Sequence, residues 1–575
     1  MKSPVKKVLK QLKPYSFLLV LAVLSALISV SLTLYVPVLV GYAIDNIIAK
    51  GQVRFEDVAR ILCYIGGAVG GVTLFQWLMN YLVNLVSFKT VRDLRRAVFR
   101  KFNSVPLSYI DSNAHGDLIS RVINDIDAVG DGLSQFFLQL FAGVVTIIGT
   151  LVFMLLTDWR IGLVVFFLTP LSLFVAGFIG KLSAKRFRDQ QILQGEISSF
   201  VEEYVGNQRV VKAFAYENQA AKDFESYNQT LYDVGFRAQY AGALANPSTR
   251  LVNAIVYAAV GLIGALTVIS GSLTVGGLSC FLTYANQYTK PFNDVTGVLT
   301  QLQTGIAAAR RVFEVLEAED ELPDKCDEYK ENTAHRGEVS FENVSFSYVL
   351  DKPLIKDFSL DVKGGTHVAI VGPTGCGKTT LINLLMRFYD VDSGCIKVDG
   401  TDIREISRES LRSRFGMVLQ DSRLFCGTIM ENLRYGNENA TKEQVISAAK
   451  AAYAHSFIRR MPQGYDTVIS EDGGNLSQGQ KQLLCIARAM LTEPEILILD
   501  EATSSIDSLT EIRVQRAFVK MMKGKTAFVV AHRLSTIRES DVILVMRDGN
   551  IVEQGSHKEL LSRKGFYWEL NNAQK

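Results

Sequence analysis

LSQGQ, Leu476 to Gln480, stands between the glycine-rich stretch GPTGCGKT, Gly372 to Thr379, and the run ILILDE, Ile496 to Glu501. GPTGCGKT follows the apolar run HVAIV and opens TLINLLMRF, the strand-to-helix context that a phosphate-binding loop requires. In such a loop backbone N–H groups and the helix dipole hold phosphate oxygens, Lys378 reaches the β and γ oxygens, and Thr379 offers its hydroxyl to Mg2+. Gly372, Thr374, Gly375, Cys376, Gly377 and Thr380 complete the candidate nucleotide cradle. ILILDE reads as a buried strand ending in two carboxylates, with Asp500 placed to orient Mg2+ and Glu501 to polarise an attacking water as general base. Leu476, Ser477, Gln478, Gly479 and Gln480 lie where a helix begins (QKQLLCIARAM), so free N–H groups there can hold a further phosphate.

The rest of the chain is of two kinds. Five uncharged runs, 15–44, 61–88, 132–157, 161–180 and 251–289, fill the first half of the 575 residues. About 20 apolar residues cross a bilayer. The last run is twice that length and contains the turn-like SGSLTVGG, Ser270 to Gly277, so six spans are expected. Lys and Arg crowd the N-terminus and the long links 89–130 and 181–250, which places those segments on the cytoplasmic side. Amides and aromatics in the spans, Gln76, Gln139, Tyr284 and Gln287 among them, suit a cavity for amphipathic cargo. No carboxylate stands deep in the runs to carry proton coupling. The formal net charge of +3 gives no reason to expect nucleic-acid binding. Seven cysteines, an odd number without metal-ligand spacing, read as free thiols in a reducing compartment. The N-terminal apolar run is too long for a cleavable signal, and reads as a retained membrane helix.

From Gly337 short β-branched strands alternate with helices. The expected architecture is therefore an α-helical six-span membrane domain over 1–316, a charged linker over 317–336, and an α/β P-loop domain over 337–575.

With Gln420 in MVLQD, LSQGQ, SSID at Ser504 to Asp507, and His532 in VVAHR, the C-terminal half resembles the ATP-binding cassette proteins. With the membrane half before it, the whole chain resembles a half-transporter of the ABC exporter type. That resemblance implies ATP and Mg2+ as cofactors, and a second half-transporter whose signature completes each ATP site. It implies that Tyr348 stacks on adenine, that Gln420 contacts Mg2+ and water, and that Asp507 addresses the partner's site. By the same resemblance His532 contacts the γ-phosphate and Glu471 faces the membrane domain. The stretches Ser108 to Asp127 and Glu202 to Glu217 are similar to the family's two intracellular loops.

Gln478 departs from the family's usual LSGGQ, while Glu501 is intact. In bacterial heterodimers one subunit keeps the glutamate and carries the deviant signature, so a heterodimer is expected, with a homodimer as the alternative. The function implied is ATP-driven export of drugs, lipids or peptides across a bacterial plasma membrane, with both termini and the ATPase domain cytoplasmic. An ABC-like channel or regulator that gates without pumping is the competing class. Alkylation of Cys376, inside the loop, is expected to block ATP binding, the alternative being a buried, unreactive thiol.

Overall fold

The long uncharged runs fold as helices, which pair every backbone N–H and C=O within one segment, as a bilayer demands. The computed structural model describes residues 4–47, 53–168, 170–324, 336–349, 352–419, 422–470, 473–501, 506–531 and 537–573. They fall into two units, Met1–Ser104 with Asn113–Ala318, and Val105–Ser112 with Glu319–Lys575.

In the first unit a short helix, α1 (Pro4–Leu12), leads through one turn into α2 (Ser16–Asp45). Then follow α3 (Phe55–Phe102), α4 (His115–Thr157), α5 (Trp159–Leu168), α6 (Pro170–Gly206), α7 (Glu217–Ala243), α8 (Ala245–Ile269) and α9 (Val275–Leu316). Among the described residues, four helical stretches are long and apolar enough to cross a membrane: Pro4–Asp45, Phe55–Phe102, His115–Thr157 and Glu217–Ile269. The remaining apolar runs lie on α5 with the start of α6, and on α9. The long run breaks where its turn residues predict, since α8 stops at Ile269 and α9 starts at Val275. Thr274 caps α9 by accepting the Gly277 N–H at 2.9 Å. Asp45, at the end of α2, accepts the Gly276 N–H at 2.7 Å and ties the two helix ends together.

In the second unit a four-stranded antiparallel sheet contains β1 (Val339–Phe346), β2 (Ile355–Val362), β4 (Ser393–Val398) and β5 (Thr401–Asp402), in the order β2-β1-β4-β5. The six-stranded sheet holds β3 (His367–Val371), β6 (Phe415–Val418), β9 (Ile496–Glu501), β10 (Thr526–Ala531), β11 (Val542–Arg547) and β12 (Asn550–Gly555), in the order β12-β11-β3-β10-β9-β6. Between β6 and β9 in sequence lies the small antiparallel pair β7 (Gly427–Thr428) and β8 (Val468–Ile469). The strands of the larger sheet are parallel except β12 at its edge.

Successive side chains point to opposite faces and both faces are buried, which explains why the inner strands are mostly apolar. Ile496 and Ile498 of β9 pack into one core, with Val368 and Ile370 of β3. Leu497 and Leu499 pack into the core on the other face, with Ala369 and Val371. The second of these cores includes Leu483, Leu484, Ile486 and Ala487 of the helix α11 (Gln478–Leu491), so the LSQGQ stretch is anchored on the sheet by its own helix.

Candidate functional site

Ligands of a parallel sheet bind beyond the carboxyl ends of its strands. Register puts the candidate residues there. Ile370 of β3 pairs with Val530 of β10, and Val530 pairs with Asp500 of β9. Two strand spacings of about 4.8 Å set the loop after β3 about 10 Å from Asp500. Glu501 pairs by backbone with Ala531, the residue before His532, and Val418, two residues before Gln420, pairs with Leu499. The side chain of Glu501, and Gln420, Glu471 and His532 altogether, lie outside the described residues.

The loop after β3 closes onto α10 (Lys378–Leu385). Gly377 caps that helix at φ +103°, a left-handed conformation that a Cβ would strain, and no side chain caps the N-terminus. Its first-turn N–H groups are thus left for an anion. Thr374, Gly375 and Thr379 are exposed, while Cys376 and Thr380 are buried. The Lys378 ammonium folds across the loop and donates to the carbonyls of Gly372 at 2.8 Å and Pro373 at 2.9 Å. Cys376 Sγ lies 3.9 Å from the same ammonium. Uncapped helix N–H groups, a reachable ammonium and the Thr379 hydroxyl form a donor set that fits a nucleotide phosphate chain with Mg2+. Asp500, nearly buried at the end of β9, adds the carboxylate that a Mg2+ shell needs.

Tyr348 is exposed, as a stacking surface must be. Its ring stands edge-on to Tyr389 at 5.0 Å, and its hydroxyl accepts from Asn383 Nδ2 at 3.2 Å. Asn383 and Tyr389 were not legible from the motifs; only their positions on and just after α10 mark them. Tyr389 in turn donates to Asp111 at 2.5 Å, and burial, then this carboxylate, raises the pKa of the phenol. Asp111 lies in the 105–112 segment that belongs to the same unit.

At the other motif Ser477 is the N-cap of α11, and the cap is reciprocal. The Ser477 hydroxyl accepts the Gln480 N–H at 3.4 Å, and the Gln480 side chain accepts the Ser477 N–H at 3.0 Å. Gln478 is exposed in the first turn with ordinary helical backbone. Crowding falls one residue later: a Cβ on Gly479 would stand 2.9 Å from Ile506 Cγ2. Asp507 caps α12 (Ser508–Met522) by accepting the Thr510 N–H at 2.9 Å, and that backbone bond holds its pKa below the usual carboxylate range.

In the first unit, Gln76, Gln139, Gln287 and Lys290 line one cavity of about 470 Å³ with Ser29 and Thr33. Among the described residues, Gln287 Oε1 is buried there without a hydrogen-bond partner. Tyr284 is not part of that wall; it is fully buried and donates to the Leu34 carbonyl at 2.6 Å.

The family described as ABC transporter transmembrane region matches residues 19–292, and the family described as ABC transporter matches residues 355–504. The chain is 42% identical over 528 residues to a fatty acid ABC transporter ATP-binding/permease protein of Mycobacterium tuberculosis, covering 92% of this chain and 83% of the relative. It is 36% identical to an ATP-dependent lipid A-core flippase of Syntrophus aciditrophicus, over 99% of this chain and 94% of the flippase. The solved structure of a bacterial Atm1-family ABC exporter with ATP bound superposes with a TM-score of 0.78 at 30% identity, over 97% of this chain and 98% of that one.

Proposed function

Because the chain belongs to the ATP-binding cassette exporter family, we propose that it hydrolyses ATP to move amphipathic molecules outward across a membrane. The observation that carries this is the joint placement, beyond the carboxyl ends of one sheet's strands, of the loop after β3 and the Asp500–Glu501 end of β9. We assign the membrane domain to 1–316 with six spans, the linker to 317–336 and the cassette to 337–575.

Bound ATP supplies the phosphoryl group, and Mg2+ offsets its charge. Lys378 leaves the carbonyls of Gly372 and Pro373 to pair with phosphate oxygens. Thr379, Gln420 and Asp500 would hold the metal, and Tyr348 would stack on the base. Glu501 orients and deprotonates the attacking water, with His532 beside the γ-phosphate. Ser477 and the N-terminus of α11 face the nucleotide held by a second half-transporter, and Asp507 contacts that partner. Closure of the pair around ATP drives alternating access.

Gln478 beside an intact Glu501 supports a heterodimer in which this chain brings the catalytic glutamate. A homodimer is the other outcome. The cassette and both termini are placed in the cytoplasm, with the bilayer a bacterial plasma membrane. The amide-rich cavity with Lys290 on its wall favours an amphiphile with an anionic head, and fatty acid and lipid relatives support that class.

Inside-out vesicles bearing the chain with its partner should accumulate a fluorescent fatty acid or lipid with ATP, and not with Glu501→Gln. Equilibration of cargo without accumulation would favour the gated-channel reading.

A further inference from the structure

α1 is amphipathic in a particular way. Val5, Val8, Leu9 and Leu12 recur at helical spacing on one face, while Lys6 and Lys10, followed by Lys13, lie along the flank beside it. The helix contains no acidic residue. Its apolar face does not close onto the bundle. Between α1, α4 and α9 remains a half-open crevice of about 270 Å³, and every residue that lines it is apolar. Leu12 and Leu133 are part of its wall, and Val5, Leu9, Phe136 and Ile306 form an exposed lip.

Apolar cavities of about 150 Å³ stay dry and take up apolar ligands, so a larger crevice open at a membrane edge will be filled by hydrocarbon. Its place along the chain fixes which hydrocarbon. α1 ends three residues before the membrane helix α2, so the crevice sits at the bilayer boundary. Lys7 is used to pin α1: its ammonium pairs with Glu317 at 2.6 Å and lies 5.5 Å from the Phe313 ring centroid. Among the described residues Lys6, Lys10 and Lys13 make no ion pair, which leaves three cations on the flank of an acyl-sized crevice.

We propose that this crevice holds one acyl chain of an anionic phospholipid of the cytoplasmic leaflet, with the headgroup on Lys6, Lys10 and Lys13. The phospholipid is a resident of the N-terminal helix, separate from the cargo cavity. The inference rests on the proposed orientation, with α1 on the cytoplasmic side.

The test uses the full chain with its partner in phosphatidylcholine nanodiscs, without ATP or cargo. Phosphatidylglycerol carrying a photoreactive acyl tail is compared with phosphatidylcholine carrying the same tail, and labelled peptides are mapped by mass spectrometry. The anionic probe should label α1, 129–137 and 302–309, and should do so about tenfold or more above the neutral probe, as three lysines near an anionic headgroup allow. Lys6→Gln/Lys10→Gln/Lys13→Gln should remove that preference while leaving thermal unfolding unchanged. Leu133→Trp or Ile306→Trp, which fills the crevice, should abolish labelling there and leave labelling of other helices intact. Equal labelling by both probes, or labelling that survives both sets of variants, overturns the proposal. Preferential capture of a free fatty-acid probe overturns it by making the crevice a cargo site. Crosslinks from α1 to the partner subunit overturn it by showing a protein cover. Protease access to the N-terminus in sealed vesicles reads the orientation separately, so failure of that premise is distinguishable.

Discussion

Gly479 lies so close to Ile506 that a Cβ on it would stand 2.9 Å from Ile506 Cγ2, with Thr510 crowding the same point. The first residue of α11, Gln478, is exposed. The two middle positions of LSQGQ are therefore under different constraints. Gly479→Ala should destabilise the second unit by about 1–3 kcal/mol through overpacking, read as a lower thermal unfolding midpoint. Gln478→Gly should leave the midpoint unchanged within about 1 kcal/mol, since it only adds helical backbone freedom. A rise in ATPase rate with that variant would show that the glutamine limits the site it faces on the partner.

Glu501→Gln should lower ATP turnover by about 100-fold or more, the usual contribution of a general base, while ATP binding persists. In a heterodimer the partner's equivalent substitution should cost far less. Equal losses from either chain would assign a homodimer-like pair of equivalent sites.

Cys376 is 3% exposed. Its burial makes the expected block by alkylation a slow one, because the thiol must first be exposed by loop opening. Maleimide should modify the exposed Cys426 first, with ATPase retained, and inactivate only as Cys376 is labelled. ATP should slow that second phase. Full activity after quantitative Cys376 labelling would refute the placement of the loop around ATP.

Glu495 joins Arg414 and Arg336 where β9 begins: Arg414 Nε donates to it at 3.0 Å and Arg336 Nε at 2.7 Å. Burial works to raise its pKa, but the two guanidinium hydrogen bonds outweigh burial and hold it below the usual carboxylate range. A depressed native pKa means that the unfolded chain binds the proton first. The stabilisation is whole above an unfolded value of about 4.3 and is lost as pH falls through the native value. Thermal unfolding followed downward from pH 6 should show this loss, and Glu495→Gln should flatten it.

Asp125 is buried on α4 and receives a paired guanidinium contact from Arg311 of α9, with Nε donating at 2.8 Å. Asp125→Ala leaves Arg311, itself half exposed, without that partner. The variant should lose about 1–3 kcal/mol, measured as a drop in the unfolding midpoint in detergent. Asp125→Asn should lose less, because it still accepts one hydrogen bond.

Apolar runs, strand alternation and the loop chemistry of Gly372 to Thr379 were readable before any coordinates, because each depends on neighbours a few residues away. The break after Ile269 was readable for the same reason, as was the start of a helix at LSQGQ, though not the reciprocal cap between Ser477 and Gln480. Long-range packing was not. That Gln478 is free and Gly479 confined depends on Ile506 and Thr510, far along the chain. That Tyr284 ties helices together while Gln287 faces a cavity depends on which way each side chain turns from one helix, and spacing alone does not assign that. Tyr389 entered the site only when folding set it against Tyr348 and Asp111. Local periodicity and covalent geometry are written in the order of residues. Which surfaces meet is decided by packing, where contacts between remote segments outweigh local preference.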